Sequence, residues 1–450
     1  MLSPTRLVPM LVFLLAAAPL AARAQGDPLG GYVRQAMENN LSLRQERLSA
    51  ERSSAAVREA RGLLLPTVSF DARYSEMSGG MNLGDLVNPA YAALNQVTGS
   101  NQFPTNIDAR LPLAQETKIR IAQPLLAPAA WENRRLRRTL ADLDGAALGT
   151  ATRQLAADVQ TAYLDYARSA RVVELYRNTL PLLQENLRVA ERRVENGTAT
   201  PDAVLRARAE RAETEQALAE AEVRSTAALR RFNFLLGRDL DTPVEVLADS
   251  ALAYPLAVTE EEVVRSALAG REELTQGNAG VRAAESQVRL ARAGQLPTVA
   301  LAVDYGIQGN EYRFGKDDDF AMASLVVSWN AWNGGQHGAR REQARLDADR
   351  ARTRREEIGR QVELQVRTAY RGAQVARGAI ATAEERLAAA ERTYQLVARR
   401  WQEGIAPQIE LLDARTSFTA AGLNLILTRY EYAARWVELE RAAALRDLAR

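Results

Sequence analysis

The sequence reads ARGLLLPTV at residues 60–68 and ARAGQLPTV at residues 291–299, so one segment occurs twice in a chain of 450 residues. A second pair of segments follows in the same order, ENGTA at residues 195–199 and QEGIA at residues 402–406. Each of these is followed by Leu-x-Ala-Arg, at residues 205–208 and 412–415. Two separate segments that recur in one order indicate a tandem duplication, and each copy is expected to have the same architecture.

The two copies differ in length at one place. The first pair of segments is offset by 231 residues and the second by 207, a difference of 24. The extra residues fall within Ser75–Glu116, which is polar and rich in turn-forming residues from Ser78-Gly79-Gly80 onward. We therefore expect a longer loop in the first half than in the second, where Gly309–Asp319 connects the corresponding segments.

Apolar and aromatic side chains recur every seven residues before each repeated glycine, which is the pattern of a coiled-coil seam. In the second half the series is Ala373, Ile380, Leu387, Tyr394 and Trp401, and the first half has a matching series 207 residues earlier. The period returns after each glycine. Each half is thus predicted to contain two coiled-coil helices joined near Gly197 or Gly404, the first of them over residues 128–195 or 336–403. Such a helix is about 100 Å long.

Each half also has two segments in which apolar and polar residues alternate, as they do in strands. They cover about residues 66–75 and 117–126 in the first half, and 297–306 and 320–332 in the second. The pattern is typical of an outer-membrane barrel, but half-buried soluble hairpins share it. Four strands cannot close a barrel in lipid, so a membrane role would require several chains to share one barrel.

The composition excludes several classes of protein. Lys and Arg total 58 and Asp and Glu total 56, so no basic field is present to bind nucleic acid. The chain has no cysteine, which excludes disulfides and cysteine-ligated zinc. We find no nucleophile–base–acid set and no paired catalytic carboxylates, so we expect no enzyme activity, cofactor or metal. The single histidine, His337, is expected to be a surface residue rather than a metal ligand.

Residues 1–24 are predicted to be a signal peptide, because a positive start precedes a short apolar stretch and a small-x-small cleavage site. The first structural repeat is then expected over residues 25–236 and the second over residues 259–450. Residues 237–258 form the linker between the repeats, here named the equatorial segment.

These features together resemble the TolC family of outer-membrane channel proteins. The resemblance includes the duplication, the strand entries at residues 65–66 and 296–297, the strand exits at residues 123–125 and 332–335, and both glycine motifs. It implies a mainly α-helical fold with a β-barrel part, in which a homotrimer shares a twelve-stranded barrel and duplicated coiled coils form a periplasmic tunnel. The absence of cysteine is similar to the unlipidated branch of that family.

The resemblance also implies a function. It is that of an exit duct in the outer membrane of a Gram-negative bacterium, with a large periplasmic part, a periplasmic adaptor and a proton-driven or ATP-driven inner-membrane pump as partners. It does not specify the cargo. A periplasmic coiled-coil structural or adaptor protein is the alternative, but an adaptor would carry a single hairpin without duplication.

Site residues follow from the same resemblance. Adaptor docking is expected at the two tips, at Gly197, Thr198, Leu205, Gly404, Ile405 and Leu412. A pore constriction is expected at Glu410, Asp413 and Trp401. The alternative is purely structural, since any helical hairpin needs a glycine at its reversal and two acids in four residues are ordinary on a solvated helix face.

Overall fold

The computed structural model describes residues 29–76, 81–108, 110–111, 114–249, 254–309 and 318–446. The signal peptide predicted for residues 1–24 lies outside the described residues, and so does most of the second-half loop. In the described part of the chain, no helix combines the length and the apolar character needed to span a membrane.

Long helices dominate the fold. The helices are α1 Gly30–Asn39, α2 Leu41–Gly62, α3 Gly84–Thr98, α4 Pro128–Glu195, α5 Pro201–Leu235, α6 Glu260–Gly270, α7 Glu272–Ala293, α8 Gln336–Gln402 and α9 Gln408–Ala442. The strands are β1 Thr67–Tyr74, β2 Met81–Asn82, β3 Arg110–Leu111, β4 Gln115–Leu126, β5 Thr298–Gly309 and β6 Asp319–Ser328. The two long helices predicted from the heptads are confirmed, with 68 residues in α4 and 67 in α8.

The chain forms two compact units. One combines the chain up to Asn39 with Asp158–Ala253, and the other combines Asn40–Ala157 with Tyr254–Arg450. Each unit contains one hairpin reversal, at Gly197 in the first and at Gly404 in the second.

The core of the first unit is an aromatic cluster. The rings of Tyr32, Tyr163 and Phe232 lie 5.1–5.9 Å apart, centroid to centroid. The Tyr163 hydroxyl donates to the Glu245 carbonyl at 3.2 Å and accepts from the Leu247 amide at 2.8 Å. These bonds attach the first part of the equatorial segment to α4.

The second unit repeats this arrangement with aliphatic residues. Val263, Val366 and Leu439 are fully buried where α6, α8 and α9 meet. Tyr370, which is 207 residues after Tyr163, donates its hydroxyl to the Val258 carbonyl at 3.1 Å. The duplication therefore preserves the tyrosine that attaches the equatorial segment, although the surrounding core has changed in composition.

The second unit also contains the main sheet, which is antiparallel with strand order β1–β4–β5–β6. Strands β4 and β5 come from different repeats and pair from Gln115 with Gly309 to Leu126 with Val299, with one bulge between Pro124 and Leu126, so the sheet joins the two halves of the duplication. Strands β1 and β6 lie at its edges, each with one neighbour among the described strands. Strand β6 ends at Ser328, four residues before the predicted end, because the chain leaves the sheet before Trp329 and begins α8 at Gln336.

The connection between β1 and β4 is longer than that between β5 and β6, as expected, but it also contains a helix that was not predicted, α3 over residues 84–98. The Asn88 side-chain amide donates to the Ile107 carbonyl and accepts from the Ile107 amide, both at 2.9 Å. Asn95 makes the same pair of bonds to Phe103, at 2.7 and 3.0 Å. Two asparagines one heptad apart thus fasten the returning chain to α3.

Candidate functional site

The two hairpin tips have the same backbone geometry. Gly197 has φ of 68° and Gly404 has φ of 76°, in the left-handed region that glycine accepts without a Cβ clash. The amide of Gly197 donates to the Val194 carbonyl at 3.0 Å, and the amide of Gly404 donates to the Trp401 carbonyl at 3.1 Å.

The residue after each glycine completes the turn. The Thr198 amide donates to the Arg193 carbonyl, and the Ile405 amide donates to the Arg400 carbonyl, both at 2.8 Å. This pair of bonds is the Schellman motif, which ends a helix at a left-handed residue and satisfies its last carbonyls. Both reversals predicted from the sequence therefore lie at the expected glycines.

Thr198 and Leu205 are exposed at the first tip, as a docking surface requires. The Thr198 hydroxyl donates to the Arg193 carbonyl at 3.0 Å, so this side chain also supports the turn. Asp202 lies in the first turn of α5, and a hydrogen bond from the Thr200 hydroxyl, aided by the charge of Arg206, holds the pKa of its carboxyl below the usual value. The first tip is thus a polar turn beside one exposed leucine.

The second tip differs at the leucine. Leu205 is 65% exposed, whereas Leu412, its counterpart 207 residues later, is 9% exposed. The structure therefore contradicts the prediction of Leu412 as a docking contact, because a buried side chain cannot meet a partner at the surface. Ile405 is 63% exposed and remains the apolar candidate at this tip.

Trp401 is also buried, which contradicts its expected place in a pore constriction. It occupies a seam position of the heptad pattern, and burial is what the heptad pattern itself predicts. Its carbonyl accepts the Gly404 amide, so Trp401 contributes to the turn through both its backbone and its packing.

Glu410 and Asp413 are both exposed, and a spacing of three residues places them on one face of α9. Sequence reasoning missed the partner of Glu410. The Arg400 guanidinium approaches the Glu410 carboxylate to 3.6 Å across the turn, with both side chains about half exposed. Arg400 therefore compensates part of the negative charge that Glu410 contributes.

The main sheet has one charged face and one apolar face. Asp304 is 1% exposed and accepts two hydrogen bonds from Arg120, both at 2.7 Å, with Lys118 at 3.7 Å. Lys118 also pairs with Glu116, which pairs with Arg73 at 3.2 Å. The opposite face presents exposed apolar side chains along all four strands, namely Val68, Phe70, Ile119, Ile121, Tyr305, Leu325 and Val327.

His337 is half-buried rather than on the open surface. Its Nε2 atom is buried without a hydrogen-bond partner in the described structure, and its backbone amide donates to the Asn333 side chain, in the turn between β6 and α8, at 3.2 Å. No cluster of three or more potential metal ligands occurs among the described residues.

The outer membrane efflux protein family matches residues 32–238 and 263–445. The chain belongs to the outer membrane efflux protein family. The two matched stretches correspond to the two repeats, and the resemblance found in the sequence is confirmed. Membership of the family places the chain in the outer membrane, with a large periplasmic part.

Two individual relatives share less than 30% sequence identity with this chain. Protein CyaE of Bordetella pertussis is 29% identical over 318 residues, which cover 68% of this chain and 66% of CyaE. The alkaline protease secretion protein AprF of Pseudomonas aeruginosa is 24% identical over 333 residues, which cover 73% of this chain and 69% of AprF. The chain thus spans slightly less than two thirds of CyaE.

A solved structure supports the fold. The crystal structure of a membrane protein from Pseudomonas aeruginosa superposes with a TM-score of 0.78 at 19% identity, covering 94% of this chain and 93% of that one. The two chains therefore share a fold over nearly their whole length.

Proposed function

We propose that three copies of this chain form the outer-membrane exit channel of a tripartite export system. The observation that carries the proposal is the main sheet, whose four strands have an exposed apolar face, a charged face and two edges, at β1 and β6. Exposed backbone edges are not tolerated in lipid, so each edge requires a strand from another chain. Three sheets of four strands give a twelve-stranded barrel with the apolar faces toward lipid.

The charged face then lines the barrel lumen. Water fills the interior of large barrels, and polar side chains alternate inward along each strand. The ion pairs of Asp304 with Arg120 and of Glu116 with Lys118 balance opposite charges on that wall. These pairs leave that wall with balanced charge, so the barrel itself does not select cargo by charge.

The tips are the proposed docking sites for a periplasmic adaptor. Thr198, Leu205 and Ile405 are exposed beside the two left-handed glycines, and an adaptor hairpin would contact this rigid turn and its apolar side chains. AprF is named for the secretion of a protease, which makes polypeptide one class of cargo to test beside small molecules.

Glu410 and Asp413 are the proposed acidic constriction. In a trimer they would give two rings of three carboxylates, which attract cations and repel anions in a narrow pore. Arg400 lies beside the Glu410 carboxylate, so Asp413 supplies the stronger of the two rings.

Membrane fractionation tests the function. The protein should be found in the outer membrane and, after detergent extraction, should migrate with the mass of three chains of 49.4 kDa less the signal peptide. A host that lacks the gene should retain cargo that the wild type exports. A monomer recovered from the soluble periplasmic fraction would instead support the alternative, a coiled-coil structural or adaptor protein without catalytic activity.

A further inference from the structure

A cavity of about 390 Å³ lies in the second unit, where the helices meet the sheet. Its wall is formed by the last two turns of α7, the first three turns of α8 and Ala129 at the start of α4. Its floor is apolar, with Leu290 and Ala344, and its rim is polar, with His337, Arg340 and Asp347. None of these residues belongs to the tips or to the charged face of the sheet.

Three tryptophans indicate the depth at which this cavity lies relative to the membrane. Trp131, Trp329 and Trp332 are exposed by 50%, 64% and 83%, and each lies within nine residues of a residue that lines the cavity. Exposed tryptophans concentrate at the boundary between the hydrocarbon and the headgroups of a membrane. The cavity is therefore at the headgroup level, just below the periplasmic ends of the strands.

The polar side chains of the cavity can form further hydrogen bonds and ion pairs. The His337 Nε2 atom is buried without a hydrogen-bond partner in the described structure. Within the same described part, neither Arg340 nor Asp347 forms an ion pair. A buried donor or acceptor without a partner is unfavourable, and a ligand that supplies the partner is correspondingly favoured.

The order of the charges identifies the class of ligand. His337 and Arg340 lie in the first turns of α8, nearer to the strands, and Asp347 lies about 10 Å further along the helix. A phospholipid of the periplasmic leaflet presents its phosphate first and any headgroup amine beyond it. Arginine binds phosphate through paired hydrogen bonds, and a carboxylate binds an ammonium group.

We propose that this cavity, here named the α7–α8 cavity, binds the zwitterionic phosphoethanolamine headgroup of a phospholipid. Arg340 and His337 hold the phosphate, and Asp347 holds the ammonium. Asp347 repels an anionic headgroup that lacks the amine, so phosphatidylethanolamine is bound in preference to phosphatidylglycerol. The inference rests on the proposed function, which sets the cavity beside the periplasmic leaflet.

Native mass spectrometry of the full chain, released from nanodiscs that contain both lipids in equal amounts, tests this assignment. The wild type should retain phosphatidylethanolamine over phosphatidylglycerol by about tenfold, the effect of one charge-assisted bond. Arg340→Gln should lose retention of both lipids, and Arg340→Lys should keep part of it. Asp347→Asn should remove the preference between them. The exposed neighbours provide matched controls, and Arg341→Gln and Glu342→Gln should behave as the wild type does.

The single histidine supplies a second readout. Carbethoxylation of His337, followed by mass spectrometry in a preparation without a histidine tag, should be slower in phosphatidylethanolamine nanodiscs than in phosphatidylglycerol nanodiscs. Equal rates, or equal lipid retention by Arg340→Gln and Arg341→Gln, would overturn the site. Displacement of the lipid by millimolar inorganic phosphate would show a site for free anions and would overturn the lipid assignment.

The lipid site and the channel function are tested separately. A protein that remains trimeric in the outer membrane and exports cargo, yet shows no lipid preference, overturns only the α7–α8 cavity as a lipid site. A protein absent from the outer membrane overturns the proposed function itself.

Discussion

Arg120 and Asp304 form a two-pronged ion pair that joins the two halves of the duplication. Arg120 Nε lies 2.7 Å from Asp304 Oδ1, and Arg120 Nη2 lies 2.7 Å from Asp304 Oδ2. The two residues are direct partners in the β4–β5 register. The two oxygens of a nearly fully buried carboxylate are thus both occupied by one guanidinium. The pair lies in the register of β4 with β5, the pairing that connects the repeats among the described strands.

Removal of Arg120 should therefore destabilise the sheet. Arg120→Met removes both charge-assisted hydrogen bonds from Asp304 and leaves Lys118, at 3.7 Å, as its remaining cationic neighbour. We expect the midpoint of thermal unfolding to fall, and to fall further than in Arg73→Met, the matched control, whose side chain is half exposed. Equal midpoints for the two variants would show that the Arg120 pair adds no stability.

The tip glycine gives a graded prediction. Gly404→Ala should lower the free energy of unfolding by about 1 kcal/mol, which is the strain of a left-handed residue with a Cβ. The space around that Cβ is open, so no steric clash adds to the strain. Gly404→Pro should abolish export while membrane insertion persists, since proline cannot adopt positive φ and loses the amide that donates to Trp401.

Export assays and outer-membrane fractionation of both variants measure these effects. Gly338→Ala serves as the control, because Gly338 lies in a helix with open space around it and should tolerate a methyl group. A normal export rate for Gly404→Pro would mean that the geometry of this turn has no role in the channel.

The acidic pair should control ion passage. Glu410→Ala combined with Asp413→Ala should reduce cation selectivity in planar-bilayer recordings and relieve block by trivalent ions added at the periplasmic side. Arg400→Ala should have the opposite effect, because it releases the Glu410 carboxylate from its ion pair. Both effects should shrink at high salt, where screening shortens the range of the charges.

Asp202→Ala is the control for this experiment, since Asp202 is an exposed acid at the other tip. Selectivity that stays unchanged in all three variants would remove Glu410 and Asp413 from the pore and leave the channel proposal intact.

The insertion should be dispensable for assembly. Deletion of Leu83–Gly99 should leave trimer formation intact, because the bonds of α3 described here run to residues 103 and 107 of the same insertion. Native gels of the extracted protein measure this, and loss of the trimer would show that α3 packs in the assembly.

A milder change tests the internal structure of the insertion. Asn88→Ala removes both hydrogen bonds to Ile107, each contributing about 1 kcal/mol. Proteolysis within residues 100–108 should become faster, whereas Gln96→Ala, on the same helix, should have no effect.

The heptad pattern predicted the long helices, since a period of seven sustained over four heptads, from Ala373 to Trp401, has few other interpretations. It also placed Trp401 in a buried seam, and the error arose when the family resemblance moved that residue to the pore. The exposure of Leu205 and the burial of Leu412 were not predictable from two identical motifs, because they depend on the packing around each tip.

Other features were missed for local reasons. Helix α3 begins among Asn, Gly and Asp residues and contains Pro89, a composition that favours turns, although Asp85 in its first turn and Gly99 at its end are ordinary helix signals. The Arg400–Glu410 pair joins two helices across a turn, so no fixed helical spacing predicts it. The half-buried position of His337 follows from the junction between β6 and α8, which a sequence pattern does not specify.

A cross-link between the edge strands of different chains tests the shared barrel directly. The natural chain has no cysteine, so Val68→Cys in β1 and Val327→Cys in β6 introduce unique thiols, both exposed on the apolar face near the periplasmic end of the sheet. Treatment of outer membranes with a short bis-maleimide should convert the double variant to covalent trimers. A mixture of the two single variants should give dimers through one β1–β6 contact. Monomers alone in the double variant, under conditions that label both thiols, would contradict a barrel shared by three chains.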